Sequence, residues 1–190
     1  MLVDRAVSHH NRIRIHMRSA LGVVTLVVGI LSTMISGQTQ PGIDPKLQGQ
    51  LKQLFPTATF SPKVPDPPHY KAFAPNPQTL AGVTFWTTEI EPLERGYDGP
   101  IKMLVGMDTK GILTGVVVAA HNEPYGDFSV DRPEFAAQFV GKNIRDPFRV
   151  GADVDAVSRA TITITSAARA IRISARRMAT QVLAPPTTAK

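Results

Sequence analysis

The sequence contains no cysteine. That absence excludes disulfides, thiolate zinc sites, cysteine-ligated iron–sulfur clusters, haem attached through cysteine, and thiol nucleophiles. Any redox chemistry must therefore use a cofactor not held by sulfur. Aromatic residues make up only 6% of the chain, too few for the interleaved basic and aromatic surface of a nucleic-acid binder. Histidine is scarce too. His9, His10 and His16 lie near the N-terminus, and His69 and His121 stand far apart, at a spacing that makes no metal motif. The chain lacks G-x-S-x-G, H-E-x-x-H, a P-loop and a dinucleotide fingerprint. Nothing in it sets a base beside a nucleophile, as a hydrolase requires.

What is present is an uneven charge and one long uncharged run. The net charge is +6 over 190 residues, of which 43% are hydrophobic. Residues 1–18 carry Arg5, Arg12, Arg14 and Arg18 against Asp4, and residues 158–190 carry five arginines and one lysine with no acid. The body between them is net acidic, so the basic character belongs to the ends. Ser19 to Gly37 are 19 positions without a charge. As a helix they span roughly 28 Å, about the thickness of a hydrocarbon core. With arginines ahead of it, the run predicts a signal anchor, N-terminus in the cytoplasm and body outside. A cleaved signal peptide is the alternative, but the best cleavage point, after Gly37, fits A-x-A poorly.

These features predict a basic cytoplasmic segment (1–18), a transmembrane anchor (19–37), a polar tether (38–46), one domain (47–183) and a flexible tail (184–190). In the domain, Leu47, Leu51, Leu54 and Phe55 have helical spacing ahead of Pro56. The proline-rich stretch 56–79 reads as extended chain lying on the domain, held by Phe60, Tyr70 and Phe73. Strands follow at "GVTFWTTEI", "IKMLVGMD" and "ILTGVVVAAHN", the last with Val116, Val117 and Val118 buried on both faces or nearly so. "ERGYDGP" and "TKG" are turns. "RPEFAAQFVGK" is a short helix with Pro133 in its first turn, ended by Gly141. A C-terminal helix runs from about Thr163 to Leu183, burying Ala167, Ile171, Ser174/Ala175 and Met178 and turning its arginines elsewhere. The fold class is α+β: a small, mainly antiparallel sheet packed with helices, preceded by one transmembrane helix.

The stretch "DAVSRATITITSAARAIRIS", residues 155–174, places Thr161, Thr163, Thr165 and Ser166 at a helix start. Helix starts offer unpaired N–H groups and a positive dipole end. Hydroxyls there serve as caps, bind an anion, or carry a covalent phosphoryl group, and the residues alone leave these open.

Asp155-Ala156-Val157-Ser158-Arg159-Ala160-Thr161 resembles the D-x-x-[S/T]-G-A-T motif of the FMN-binding domain of NqrC and RnfG subunits of ion-pumping oxidoreductases and of NosR-type proteins. "LFPTATF", "TFWTTEIEP", "GYDGPIKMLVGMDTKGILTGVVV" and "HNEPYGDF" resemble successive blocks of the NosR-type domain, in order, so that the likeness covers about residues 47–180. The resemblance implies FMN joined through its phosphate to Thr161 by a flavin transferase that uses FAD. Asp155, Ser158 and Ala160 would be recognised by that enzyme. Thr163, Thr165 and Ser166 would meet the phosphate or cap the helix, and Glu123, Pro124 and Tyr125 would help line the site. Arg159 replaces the motif's glycine. It is strained if the backbone needs φ > 0 there; otherwise its cation lies near the phosphate.

The implied protein is an electron-transfer subunit of a membrane redox complex rather than a stand-alone enzyme, single-pass in the cytoplasmic membrane with its FMN domain on the periplasmic side. Its partners would be membrane redox subunits, including a separate iron–sulfur or cytochrome subunit because this chain carries no cysteine-rich region, with the transferase needed for maturation. Two other readings stand beside it: a flavin-free structural or regulatory subunit of the same fold, and a binding module whose arginine-rich C-terminal helix docks on an acidic partner or anionic lipid.

Overall fold

Along the strand Lys102–Asp108, Met103, Val105 and Met107 enter one hydrophobic core and Leu104 enters another. This period-2 alternation requires a sheet covered on both faces. In the computed structural model, which describes residues 42–183, that sheet has six strands: β1 (Thr59–Phe60), β2 (Val64–Pro65), β3 (Pro68–Phe73), β4 (Leu80–Trp86), β5 (Lys102–Asp108) and β6 (Leu113–Ala120). Its order is β1-β3-β4-β5-β6, with β2 also on β3, and every pairing is antiparallel. Val105 stands opposite both Phe85 and Val116 at its centre.

Helix α1 (Pro45–Leu54) covers one face, with Leu51, Leu54 and Phe55 packed among Phe60, Tyr70, Trp86 and Leu104. The Asp44 side chain accepts from the Leu47 N–H and caps this helix. The other face carries the C-terminal helix α4 (Thr161–Met178), preceded in the chain by the short helices α2 (Thr87–Ile90) and α3 (Pro133–Ala137). The stripe Ala167, Ile171, Ser174, Ala175 and Met178 is fully buried, as its spacing predicts. Burying apolar side chains of this size contributes about 1.5–3 kcal/mol each, so α4 is fixed to the sheet along its length.

The α+β class and the antiparallel sheet agree with the sequence reading. The proline-rich stretch goes further than expected and supplies β1, β2 and β3, with Phe60 and Tyr70 buried. The strand expected over 82–90 ends at Trp86. Thr87 turns the chain into α2 because its buried hydroxyl donates to Ile101 O and accepts from Met103 N–H. The triple-valine strand is less enclosed than expected: Val116 is buried, while Val117 and Val118 are half-buried. Helix α4 begins two residues earlier than its pattern suggested and passes into a wider π turn over Ala179–Leu183. The expected basic segment 1–18, anchor 19–37 and tail 184–190 lie outside the described residues. Among the described residues no helix is long and apolar enough to cross a membrane.

Candidate functional site

Thr161 is the first residue of an 18-residue helix whose start has no side-chain cap. The first intrahelical bond runs from Ile164 N–H to Ala160 O at 2.9 Å. The N–H groups of Thr161, Ile162 and Thr163 therefore have no backbone acceptor within the helix. The hydroxyls of this stretch do not fill that gap. Thr163 Oγ1 donates to the buried Glu123 carboxylate, and Ser166 Oγ donates to Arg95 O at 2.6 Å. The helix-cap reading is therefore not what the geometry shows: two hydroxyls tie α4 to neighbouring loops, and Thr161 is left exposed at an open helix start.

A cleft of about 320 Å³ lies in front of that start, lined by Tyr97, Pro124, Tyr125, Arg159, Thr161, Ile162 and Thr163. Tyr97, Ile162 and Tyr125 are 69%, 57% and 44% exposed, unusual values for large apolar side chains beside a cavity. Two aromatic rings suit a flat ring system. Three N–H groups, the positive end of a long helix and one guanidinium suit an anion. The lining thus fits a planar heteroaromatic ligand bearing a phosphate, with an accessible hydroxyl beside it.

The cleft is held in shape from behind. Glu123 is buried, and its carboxylate accepts from Tyr97 N–H and Asp98 N–H, both at 3.0 Å, as well as from Thr163 Oγ1. One side chain thereby joins the 95–99 turn to the first turn of α4. Gly96 makes this close approach feasible, because a Cβ there would lie 2.3 Å from Glu123 Oε1. The Glu123 N–H donates to His121 Nδ1 at 3.0 Å, which fixes His121 in the tautomer whose Nε2–H donates to Asp131 Oδ1 at 2.8 Å. Gly126 leaves room for that ring: a Cβ would fall 2.1 Å from His121 Cε1. Outside, Arg169 clasps Glu94 through Nε and Nη2 at 2.9 and 2.7 Å.

The residues singled out in the sequence divide into those that line the cleft and those that do not. Thr161, Arg159, Thr163, Pro124 and Tyr125 line it. Glu123 does not; it stands behind and positions the lining. Asp155 and Ser158 are exposed outside the cleft, and the Asp155 N–H is held by Gln138 Oε1 at 2.8 Å. Ala160 is buried under the helix start. Arg159 adopts φ 69°, in the left-handed region that glycine occupies without strain. The backbone does use the freedom the motif's glycine would supply, and Arg159 also places its side chain at the cleft. Tyr97 and Ile162 escaped the sequence reading. Tyr97 lies in what reads as an ordinary turn, and only its aromatic character between two glycines hinted at a role.

The arginines of α4 are already in use. Arg169 holds Glu94, Arg172 donates to Pro147 O, Arg176 to Ile144 O and Asp146 O, and Arg177 to Ile90 O with Glu91 beside it. They stitch the helix to its own loops, which argues against an arginine face kept for an acidic partner or lipid.

A family model for the FMN-binding domain matches residues 96–175. The chain is 33% identical over 87 residues to a subunit of the ion-translocating oxidoreductase complex of Shewanella baltica (strain OS223), and 31% identical over 87 residues to the corresponding protein of Shewanella oneidensis. Each alignment covers 40% of this chain and 41% of the relative, so the chain spans about two fifths of the length of the curated relatives it matches. The matched segment runs from the turn at Gly96 to the last turn of α4, and it contains the whole cleft and the Glu123 contacts behind it. Residues 96–175 of this chain, the segment that holds the cleft, are thus the part that is similar to the FMN-binding domain family.

Proposed function

We propose that the chain is a membrane-anchored flavoprotein that carries FMN joined through its phosphate to Thr161 Oγ1. It serves as an electron-transfer subunit of a membrane redox complex. The observation that carries this reading is the exposed Thr161 hydroxyl at an uncapped helix start, inside a cleft walled by two tyrosines. The family match supports FMN as the ligand, and the names of the relatives support membership of a multi-subunit oxidoreductase.

In this reading Tyr97 and Tyr125 flank the ring system, and the N–H groups of Thr161, Ile162 and Thr163 receive the phosphate. Thr161 Oγ1 forms the phosphoester in a transferase reaction in which FAD gives up its AMP moiety and the hydroxyl its proton. Asp155 and Ser158, exposed outside the cleft, are free to meet that enzyme. When bound, FMN supplies reversible acceptance and release of electrons at a site that contains no metal-binding thiol. The uncharged run 19–37 anchors the chain with its N-terminus in the cytoplasm and the domain on the periplasmic side. There the covalent link prevents loss of a cofactor that is made inside the cell. Electrons pass between membrane redox subunits and a separate iron–sulfur or cytochrome subunit.

Co-expression with a flavin transferase tests the attachment. The wild-type band should fluoresce on a denaturing gel and the Thr161→Ala band should not. Equal fluorescence in both would place the link elsewhere, and a dark wild-type band would favour the flavin-free subunit.

A further inference from the structure

Among the described residues, Arg159 is the only charged side chain lining the cleft. Its guanidinium has no hydrogen-bond or ion-pair partner among them, whereas Arg169, Arg172, Arg176 and Arg177 of the adjoining helix all have partners. It also occupies a backbone position at φ 69° where glycine would be unstrained. An unpaired cation kept at a strained position on the wall of a cavity is a combination that packing does not account for. Thr161, Ile162 and Thr163, whose N–H groups lack intrahelical acceptors, line the same cavity.

We propose that Arg159 is a specificity residue that makes this cleft select a phosphorylated flavin over the neutral, phosphate-free flavin. The tyrosines and Ile162 recognise what the two ligands share, the ring system. The guanidinium and the helix start recognise what distinguishes them, the anion. This inference rests on the cleft being the flavin site, and it adds that the preference for the phosphate depends on a side chain absent from the motif the chain otherwise resembles.

The test uses the full chain carrying Thr161→Ala, so that binding is reversible, titrated with FMN and with riboflavin by flavin fluorescence. FMN should bind roughly tenfold or more tightly than riboflavin, the size expected of one hydrogen-bonded charge. Adding Arg159→Gln should cut that preference several-fold, leaving the share that the helix start supplies, and should lower FMN affinity far more than riboflavin affinity. Arg159→Gly, which relieves the backbone, should cut it to the same extent while raising the thermal midpoint, so a general folding defect is distinguishable from a lost contact. Retention of the full FMN preference in both variants would overturn the role of Arg159 alone. Failure of Thr161→Ala to bind either flavin would overturn it together with the cleft reading.

Discussion

The Thr163 hydroxyl donates to the Glu123 carboxylate across 40 residues of sequence, and both side chains are buried. With Tyr97 N–H and Asp98 N–H on the same carboxylate, this contact is the junction at which the 95–99 turn, the 121–125 loop and the start of α4 are held together. Glu123→Ala should strand three donors and cost at least about 2 kcal/mol, since each unsatisfied buried group costs about 1–3 kcal/mol. Glu123→Gln should cost less, because its amide oxygen still accepts. Urea unfolding of both variants beside Thr163→Val checks this. A double-mutant cycle between positions 123 and 163 should show clear coupling, and strict additivity would contradict the geometry.

Strain at Arg159 has its own signature. A non-glycine residue in the left-handed region is disfavoured by about 1–2 kcal/mol, part of which glycine forfeits through greater freedom in the unfolded chain. Arg159→Gly should therefore be more stable than Arg159→Ala by about 1 kcal/mol, read as a higher thermal midpoint. Equal midpoints would mean that the residue relaxes out of this conformation in solution.

Gly126 is packed against His121. Gly126→Ala should displace the imidazole, break its contacts with the Glu123 N–H and Asp131, and cost about 1–3 kcal/mol by overpacking. The perturbation should appear in NMR shifts of Tyr125 and Thr163 and leave the α1 face of the sheet undisturbed. Shifts confined to position 126 would show that the loop absorbs the methyl group.

His69 provides a pH prediction. Burial holds its pKa below the ordinary 6.5, opposed by its hydrogen bond to Pro67 O and aided by the Lys71 charge. The folded state therefore binds a proton less readily than the unfolded state. Stability contributed by neutral His69 is present above pH 6.5 and is lost as pH falls through that value towards the lower folded pKa. His69→Gln should flatten this part of the stability profile in denaturant titrations at stepped pH. An unchanged slope would assign the acid sensitivity to other groups.

Much of this arrangement could be read from the chain because it is local. The buried stripe of α4 follows from 3.6-residue spacing and the central strands from alternation, whereas Thr161 is marked by the motif it resembles and the spacing starts the helix two residues too late. What escaped depends on contacts distant in sequence. Nothing near Glu123 says that its carboxylate will be buried against a turn 25 residues before it and a helix 40 residues after it. The prolines of 56–79 disguised β3, which runs from Pro68 and needs β4 beside it to become a strand. The hydroxyls after Thr161 looked equivalent in sequence; the helix turn separates them, sending Thr163 and Ser166 inward and leaving Thr161 at the cleft.

The most direct measurement is the intact mass of the protein purified from its native host, followed by peptide mapping. The account predicts an added mass of one FMN less one water, located on the peptide that contains Thr161. An unmodified chain from a host that has the transferase, or the added mass on a peptide lacking Thr161, would contradict it.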